Sequence, residues 1–578
     1  MQDDRGGVPA ERTSCSKRGR AMAAALLGLS CVTSLQALAQ TLPNAGSELQ
    51  QLQRERPKSL PPQGTATFEP PPPLTSVGGA TVTVQQFVFA GNKLLPQRRL
   101  ARAVAGFLNR PLDFNQLQNA AIAVAQAYRH AGWVVRAYLP QQDVTSGTVT
   151  IQVIEATLGK VEVRTRGKRA SASRLERMVD AAQAPGKPLN ANALDRALLL
   201  MSDLPGVSAN GRLNEGSGQG ETDLVVQETD QPLVSGYVSA DNGGERFTGA
   251  ARVIEQLSLN SLFGIGDRTD TMLLHTQGSD FQSLGFSLPV GYAGWRVGLN
   301  ASHLTYRIVS ADFASLDSHG NSTTGDLNVS YPIIRARMEN LYFSLDFANK
   351  RFANYSNGAS TSHYDVNAAS ASLYGNLFDS YGGGGESTAS LTFEQGLLDL
   401  AGSPNEAADA LTAQTAGSFQ KVSLSLSRLQ TLTPHLGLFA SISGQVADKN
   451  LDSSEKIYLG GANGVRAYPA NEAGGTDGAM LDLELRGRLP ANFTVTGFFD
   501  WGAVLVDKFD TFAQAPRPNT EQLKGAGLSV GWVAPFGLSL RATISRRIGS
   551  NPDPTISGTD QDGSLIMNRV WVQATMPF

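Results

Sequence analysis

The chain has 578 residues, with 48 Lys and Arg against 51 Asp and Glu and a formal net charge of -3. Because there is no basic excess, binding of nucleic acid through neutralisation of its phosphates is excluded as a main function. The length suffices for several soluble domains or for one large closed barrel.

The first 39 residues have the pattern of a secretory signal peptide. Basic residues precede an apolar run at 21–29, and a small-residue cleavage site follows at 37–39. Cys15 and Cys31 both lie in this leader, so neither a disulfide framework nor a thiolate metal site is expected in the exported chain. No later apolar run reaches the roughly 18 residues of a membrane-spanning helix, so strands would have to cross a membrane.

A short helix and a proline-rich linker are predicted next, at 44–56 and 57–78. The capping-box and apolar positions of the helix are Ser47, Gln50, Leu49 and Leu52. A helix this short is marginal alone and must dock on another part of the molecule. The prolines that follow it favour an extended, solvated tether.

Residues 81–155 and 156–230 repeat the same order of signals and predict two small βααββ modules. In the first module, Asn115 and Gln118 are predicted to cap a helix that ends at Gly132. The second module has a helical stripe of apolar residues at Leu194, Ala197, Leu198 and Met201.

From 232 to 578, apolar and polar residues alternate, which predicts strands with one apolar face. One such strand contains 481–486, and another ends the chain at Phe578. The leader, the lack of another spanning device and this last strand favour an outer-membrane β-barrel over a soluble sandwich. Sixteen strands would leave roughly 22 residues for each strand and connection, although 14 or 18 strands would also fit. The fold class is therefore mainly β.

Three patterns typical of enzymes or metal sites are weak in this chain. Residues 527–531 match the G-x-S-x-G elbow, but a glycine-rich strand and a turn surround them instead of a strand and a helix. The six histidines are scattered, and no phosphate-binding G-x-x-x-x-G-K-[ST] motif occurs. We therefore expect no catalytic site, no metal and no cofactor.

The stretch YLGGANGVRAYP, at 458–469, carries a lone cation, Arg466. Alternation along 493–504 points Asp500 into the barrel. If the glycine-rich loop folds inward, the planar guanidinium can bind this carboxylate with two hydrogen bonds. Alternatively, Arg466 is a solvated loop charge and Asp500 one of many acids in the lumen, and the pattern alone does not decide between these readings.

The chain resembles the outer-membrane transporters of two-partner secretion, the TpsB family of haemolysin and filamentous-adhesin exporters. The similarity covers nearly everything after the leader. It rests on FVFAGN, YRHAGWVVRAYLPQQDVTSGTVTIQVIE, SLNSLFGIGDR, GGANGVRAYP, FFDWG and the terminal phenylalanine, in this order. The resemblance implies that the two modules are periplasmic POTRA domains, followed by a 16-stranded barrel at 232–578.

The resemblance also implies roles for particular residues. The helix at 44–56, with Ser47, Leu49 and Leu52, would plug the barrel. An inward loop would pair its arginine with the aspartate of an F-x-D-x-G strand. The corresponding loop and strand residues here are Gly464, Val465, Arg466, Ala467 and Tyr468, with Phe498, Asp500 and Gly502. Ala467 stands where the family usually has glycine, which would cost about 1 kcal/mol if that position needs a positive φ.

The function implied by the resemblance is export of one large unfolded exoprotein, of the TpsA type, without nucleotide hydrolysis. The other implied partners are outer-membrane lipid and lipopolysaccharide, and the barrel-assembly machinery and periplasmic chaperones during biogenesis. Two alternatives remain: an insertase for other barrel proteins and a diffusion porin. The two modules and the candidate plug favour the exporter, and the identity of the cargo, whether haemolysin, adhesin or another protein, stays open.

Overall fold

The computed structural model describes residues 42–54, 60–63, 81–218, 220–513 and 515–578. The predicted signal peptide at 1–39 lies outside the described residues, as does the predicted linker apart from 60–63. Within the described ranges, no helix has the length and apolar character needed to span a membrane.

The N-terminal helix α1 spans Ala45–Arg54. Its cap is Asn44, whose side-chain oxygen accepts hydrogen bonds from the backbone N–H of Gly46 at 2.9 Å and of Ser47 at 3.0 Å. The Ser47 hydroxyl in turn accepts from the Asn44 N–H at 3.1 Å. The predicted capping box of Ser47 and Gln50 is therefore wrong, because Asn44 already satisfies the free N–H groups of the first turn.

The first module has the predicted βααββ order, with two extra short strands. Its elements are β1 (Val82–Thr83), β2 (Gln86–Ala90), α2 (Gln97–Val104), β3 (Pro111–Leu112), α3 (Phe114–His130), β4 (Val135–Tyr138) and β5 (Thr148–Glu155). Strand β5 lies between β2, which is parallel to it, and β4, which is antiparallel. Asp113 and Gln116 form the capping box of α3, so the predicted cap is wrong by two residues. The Asp113 carboxylate also carries the charge that a helix N-terminus favours.

The second module repeats this order. It consists of β6 (Thr157–Thr165), α4 (Ala172–Ala182), α5 (Ala191–Ser202), β7 (Val207–Glu215) and β8 (Glu221–Asp230). Strand β8 lies between β6 and β7. The predicted stripe on α5 is buried against this sheet, because its residues recur with the helical period.

Sixteen antiparallel strands close into a barrel, which confirms the predicted architecture. Eleven strands come before an inward segment: β9 (Val234–Asp241), β10 (Arg252–Asn260), β11 (Arg268–Thr276), β12 (Ser279–Val290), β13 (Trp295–Arg307), β14 (His319–Arg335), β15 (Glu339–Ser356), β16 (Ala359–Asp379), β17 (Gly385–Asp399), β18 (Gly417–Thr433) and β19 (Leu436–Ala447). Five strands complete the ring: β22 (Asp477–Leu489), β23 (Phe493–Leu505), β24 (Thr520–Val533), β25 (Ser539–Arg547) and β26 (Asn568–Pro577). Strand β26 pairs with β9, so every strand of the ring has two neighbours.

The two faces of the barrel strands differ as predicted. Apolar side chains such as Leu485, Val570 and Val572 point outward and are exposed, whereas Glu484 and Asp500 point inward and are buried. The G-x-S-x-G match lies within β24, where the Ser529 hydroxyl is 2.7 Å from that of Thr543 on β25. A barrel strand, not a strand-to-helix elbow, thus contains this motif.

The second module sits against one end of the barrel. Asp203, at the end of α5, accepts two hydrogen bonds of 2.8 Å from the guanidinium of Arg335 at the end of β14. Asp195 and Arg337 form another ion pair at 2.6 Å beside it. These pairs define the module end of the barrel.

The segment between β19 and β22, residues 448–476, starts at the opposite end and folds into the lumen. It contains two short paired strands, β20 (Ile457–Tyr458) and β21 (Gly474–Gly475). Helix α1 also lies in the lumen, where it packs against β13, β14 and β15. The interior of the barrel is therefore filled by two separate parts of the chain.

Candidate functional site in the barrel lumen

The side chain of Arg466 lies at the centre of an acidic cluster on the barrel wall. Its Nε and Nη2 donate to the two carboxylate oxygens of Asp500 at 2.9 and 2.6 Å. Nη2 also donates to Asp482 at 2.7 Å, and Nη1 donates to Glu484 at 2.6 Å. The structure thus brings Arg466 and Asp500 together in the bidentate geometry that suits a guanidinium and a carboxylate.

The backbone of Arg466 is held as firmly as its side chain. Its N–H donates to Asp500 at 3.0 Å. Its carbonyl accepts from the Ser545 hydroxyl at 2.5 Å and from the Trp571 indole N–H at 2.7 Å. Because these residues lie on β23, β25 and β26, and the other acids on β22, one loop residue is bonded to four strands of the barrel.

An aromatic ring and a second arginine complete the electrostatics of the cluster. The guanidinium carbon of Arg466 lies 3.6 Å from the centroid of the Phe498 ring, a cation–π contact. Arg486 donates to the second oxygen of Glu484 at 2.7 Å. Burial lowers the pKa of Arg466, but the hydrogen bond and charge of Asp500 outweigh it and raise that pKa above its ordinary value. The guanidinium therefore stays charged.

Two glycines provide the space that the loop needs. A Cβ on Gly502 would lie 2.9 Å from the Leu459 side chain and 3.3 Å from that of Val465. A Cβ on Gly464 would lie 2.0 Å from the Leu459 carbonyl oxygen. The glycine of the F-x-D-x-G strand thus leaves the space in which Val465 and Leu459 pack against the wall.

Ala467 and Tyr468 are buried at the tip of the loop. Ala467 is not among the residues with positive φ, so the backbone cost expected for an alanine at this position does not arise. Its methyl group occupies the space over Gly525, where a Cβ would lie 2.5 Å away. The Tyr468 ring lies 4.6 Å from the guanidinium carbon of Arg547, which forms an ion pair with Asp560.

Helix α1 is docked in the lumen through both apolar and polar contacts. Leu49 and Leu52 are buried among apolar side chains of the wall. The Ala45 N–H donates to Asn354 on β15 at 3.0 Å. The Glu48 carboxylate accepts hydrogen bonds from Thr248 at 3.3 Å and from Ser279 at 3.2 Å. Ser47, by contrast, makes its hydrogen bonds within the helix cap.

Sequence reasoning missed four partners of Arg466: Asp482, Glu484, Ser545 and Trp571. Alternation along β22 already places the first two on the inner face, and this signal could have identified them. Ser545 and Trp571 bind a backbone carbonyl, and no sequence pattern indicates such a contact.

Within the described residues, no group of three or more His, Cys, Asp or Glu side chains is arranged to hold a metal ion. The acidic cluster instead has a fixed internal cation, Arg466. The three acids of the wall all accept hydrogen bonds from this one guanidinium, and these bonds anchor the loop to the wall.

Two models of known protein families match most of the chain. The model of the haemolysin secretion/activation protein ShlB/FhaC/HecB matches residues 220–533, and that of the ShlB-type POTRA domain matches residues 82–156. The first match alone spans more than half of the 578 residues.

Individual proteins show the same similarity. The heme/hemopexin transporter protein HuxB of Haemophilus influenzae is 26% identical over 484 residues, covering 81% of this chain and 84% of HuxB. The outer membrane transporter CdiB of Dickeya dadantii (strain 3937) is 26% identical over 449 residues, covering 76% of this chain and 78% of CdiB.

Solved structures share the fold. CdiB from Escherichia coli superposes with a TM-score of 0.70 at 21% identity, over 93% of this chain and 100% of that chain. BamA from Haemophilus ducreyi lacking POTRA domains 1–3 gives 0.52 at 14% identity, over 86% of this chain and 100% of that chain. The chain belongs to the ShlB/FhaC/HecB family of haemolysin secretion/activation proteins, which are outer-membrane transporters of two-partner secretion with periplasmic POTRA domains.

Proposed function

We propose that this protein exports one large unfolded exoprotein of the TpsA type from the periplasm to the cell surface. The observation that carries this proposal is the occupied lumen of a closed barrel. One occupant, the loop around Arg466, is bonded to four strands, and the other, α1, belongs to a separate segment ahead of the modules. A transporter needs one part of its lumen to stay in place and another to leave.

The loop is the part that stays. The side chain of Arg466 donates four charge-assisted hydrogen bonds, and its backbone carbonyl accepts two further hydrogen bonds. Charge-assisted hydrogen bonds contribute about 1.5 to 3 kcal/mol each. Glu48 of α1, in comparison, is held by two hydroxyl donors at 3.2 and 3.3 Å. We infer that the helix leaves during transport, while the Arg466 and Asp500 pair keeps the loop in its transport-competent position.

The linker allows α1 to leave without being lost. Its described part, 60–63, lies at the module end of the barrel, where the Asn376 side chain donates to the Pro61 carbonyl at 3.0 Å. Helix α1 thus lies in the lumen, and residues 60–63 lie at the end of the barrel next to the second module. A proline-rich chain is extended and semi-rigid, so it limits how far the released helix moves.

The modules are proposed to receive the cargo. In each three-stranded sheet, two strands are edges: β2 and β4 in the first module, and β6 and β7 in the second. An extended segment can add to a free edge through main-chain hydrogen bonds, while side chains of the neighbouring helix select among sequences. Main-chain pairing suits a long unfolded cargo, since it does not depend on one sequence.

The direction of transport requires a bias that lies outside the protein. The sequence contains no phosphate-binding motif, and we propose that folding of the cargo on the cell surface prevents it from sliding back. The outward apolar face would contact outer-membrane lipid and lipopolysaccharide. Insertion of the barrel would depend on the barrel-assembly machinery and periplasmic chaperones.

Deletion of the gene tests the export function against its alternatives. Loss of one large protein from the culture supernatant or cell surface supports export. Depletion of many outer-membrane barrels would instead support an insertase, which the fold similarity to BamA makes a meaningful alternative. A change in uptake of small solutes alone would support a porin. A neighbouring gene would be the first candidate for the cargo if it encoded a large exported protein.

A further inference from the structure

A second charged anchor lies in the inward segment, eleven residues before Arg466. Glu455 is 1% exposed, and its two carboxylate oxygens accept hydrogen bonds from Lys350 at 2.7 Å and from Lys421 at 2.5 Å. Lys421 also lies 3.4 Å from Glu394 on β17. The four charges sum to zero, and all of them are shielded from solvent.

The two anchors lie on different parts of the wall and have opposite polarity. Lys350 belongs to β15 and Lys421 to β18, whereas the acids around Arg466 belong to β22 and β23. In the order of strands around the ring, the lysine strands β15 and β18 lie two to six positions from the acidic strands β22 and β23. The segment from Glu455 to Arg466 therefore binds the wall at two places, where its acid is paired with lysines and its arginine is paired with acids.

Helix α1 contacts the N-terminal end of this segment. The Ser453 hydroxyl donates to the Asn44 side chain at 2.9 Å. The side chains of Gln50 and Arg54 donate to the carbonyls of Ser454 and Tyr458. Gly46 faces the same surface, where a Cβ would lie 2.7 Å from the Ser453 hydroxyl. We call residues 453–458 the helix seat.

The seat contains two charged residues: Glu455, which is paired with Lys350 and Lys421 of the wall, and Lys456, which is paired with Asp507 at 3.3 Å. The backbone carbonyl of Glu455 is held as well, by the Gln445 side chain at 2.9 Å. Removal of the Glu455 carboxylate would leave two lysine ammonium groups close together and compensated by Glu394 alone. Like charges in a shielded site repel each other strongly.

We propose that Glu455 is a positioning residue for the resting channel: its bonds to Lys350 and Lys421 hold the helix seat in place and thereby keep α1 docked. This role is separate from that of Arg466, which anchors the far end of the same segment. The inference rests on the proposed function, because it takes α1 to be the element that closes the pore.

The test compares resting conductance in planar bilayers for four purified barrels: wild type, Glu455→Gln, a variant lacking 44–56, and Glu406→Gln. Glu406 is an exposed carboxylate of the helix Glu406–Leu411 on an outer loop, so it is a matched control. We expect Glu455→Gln to raise the resting open probability roughly tenfold, toward that of the variant without the helix, since a lost charge-assisted bond has this order of effect. The control should remain closed.

A double variant separates positioning from simple charge compensation. Glu455→Gln with Lys421→Gln restores neutrality, leaving Lys350 and Glu394, but does not restore the bonds to the seat. We expect it to insert at wild-type levels, by heat modifiability in gels, and still to leak. Recovery of the closed state in this double variant would overturn the proposal, because charge balance alone would then suffice.

The variant lacking 44–56 tests α1 as the plug, and Glu455→Gln tests the role of Glu455. If the variant lacking 44–56 stays closed, α1 is not the plug and the proposed function loses its gate. If that variant leaks but Glu455→Gln does not, only the role of Glu455 is refuted. Glu455→Asp, which keeps the charge but shortens the side chain, is expected to leak less than Glu455→Gln.

Discussion

The indole N–H of Trp571 donates a 2.7 Å hydrogen bond to the backbone carbonyl of Arg466, which ties the loop tip to the last strand of the barrel. The loop is thus bound to β26, the strand that closes the ring by pairing with β9. Its position depends on the closed ring as well as on the ion pair with Asp500.

We expect Trp571→Phe to loosen the loop without releasing it. The carbonyl of Arg466 would keep its bond to Ser545, so the loss should be about 1 kcal/mol. Hydrogen exchange over 460–470 should rise, and secretion should fall by a modest factor. Trp532→Phe is the matched control, because that ring stacks on Phe493. Equal exchange in both variants would contradict the prediction.

Arg466→Ala should abolish most secretion while barrel levels stay normal. The substitution leaves Asp482, Glu484 and Asp500 without their shared cation, and breaking one partner of a buried pair typically costs about 3 to 5 kcal/mol. Arg466→Lys should be intermediate, since an ammonium cannot reach all three acids in the same planar arrangement. The role assigned to Arg466 fails if the alanine variant secretes as well as the wild type.

Exchange of the pair, Arg466→Asp with Asp500→Arg, should rescue only partly. A carboxylate at 466 would face the new arginine but also Asp482 and Glu484, which Arg466 now neutralises. Secretion should therefore exceed that of Arg466→Ala and remain below wild type. Full rescue would show that Asp500 alone matters, and the other two acids do not.

Substitutions of Gly502 on β23 test whether the loop needs the space above this glycine. Gly502→Val should push Leu459 and Val465 off the wall and reduce secretion strongly, because even a Cβ would lie 2.9 Å from Leu459. Gly502→Ala should have a smaller effect, since the contacts are with side-chain ends. Gly497→Val on the same strand is the control, because a Cβ there comes no closer than 3.7 Å, to Leu528 on the outer face. Similar secretion by the two valine variants would argue against this packing role.

Docking of α1 should depend on pH through Glu48. Burial raises the pKa of this carboxyl from 4.5 to about 7, although hydrogen bonds from Ser279 and Thr248 and the charge of Arg252 lower it. The neighbouring Glu245 also has a raised pKa, chiefly because it is buried and in part because of the charge of Glu48. The docked helix therefore holds a proton that the released helix gives up above its ordinary pKa.

This contribution to docking is fully present below about pH 4.5 and is lost as pH rises through about 7. Resting conductance should thus increase between pH 6 and pH 8. Glu48→Gln should remove this dependence, and an unchanged pH profile in that variant would assign the titration to another group.

Much of the architecture follows from the sequence alone. Alternation over 232–578 predicts strands with one apolar face, and the leader and the last strand favour a barrel over a soluble sandwich, because strands in lipid can have no free edge. The order of signals in 81–230 determines two modules. The pairing of Arg466 with Asp500 is predicted by the family resemblance. The pattern alone shows one lone cation and one inward carboxylate and leaves their pairing open.

Only the tertiary structure decided which side chains meet across the lumen. Alternation assigns Asp482, Glu484, Lys350 and Lys421 to the inner face, but it does not say how deep the loop descends or which strands it reaches. That depth places Arg466 among three acids and Glu455 between two lysines, and it seats α1 on 453–458. Contacts between residues far apart in the chain depend on the curvature of the closed ring, which no local period encodes.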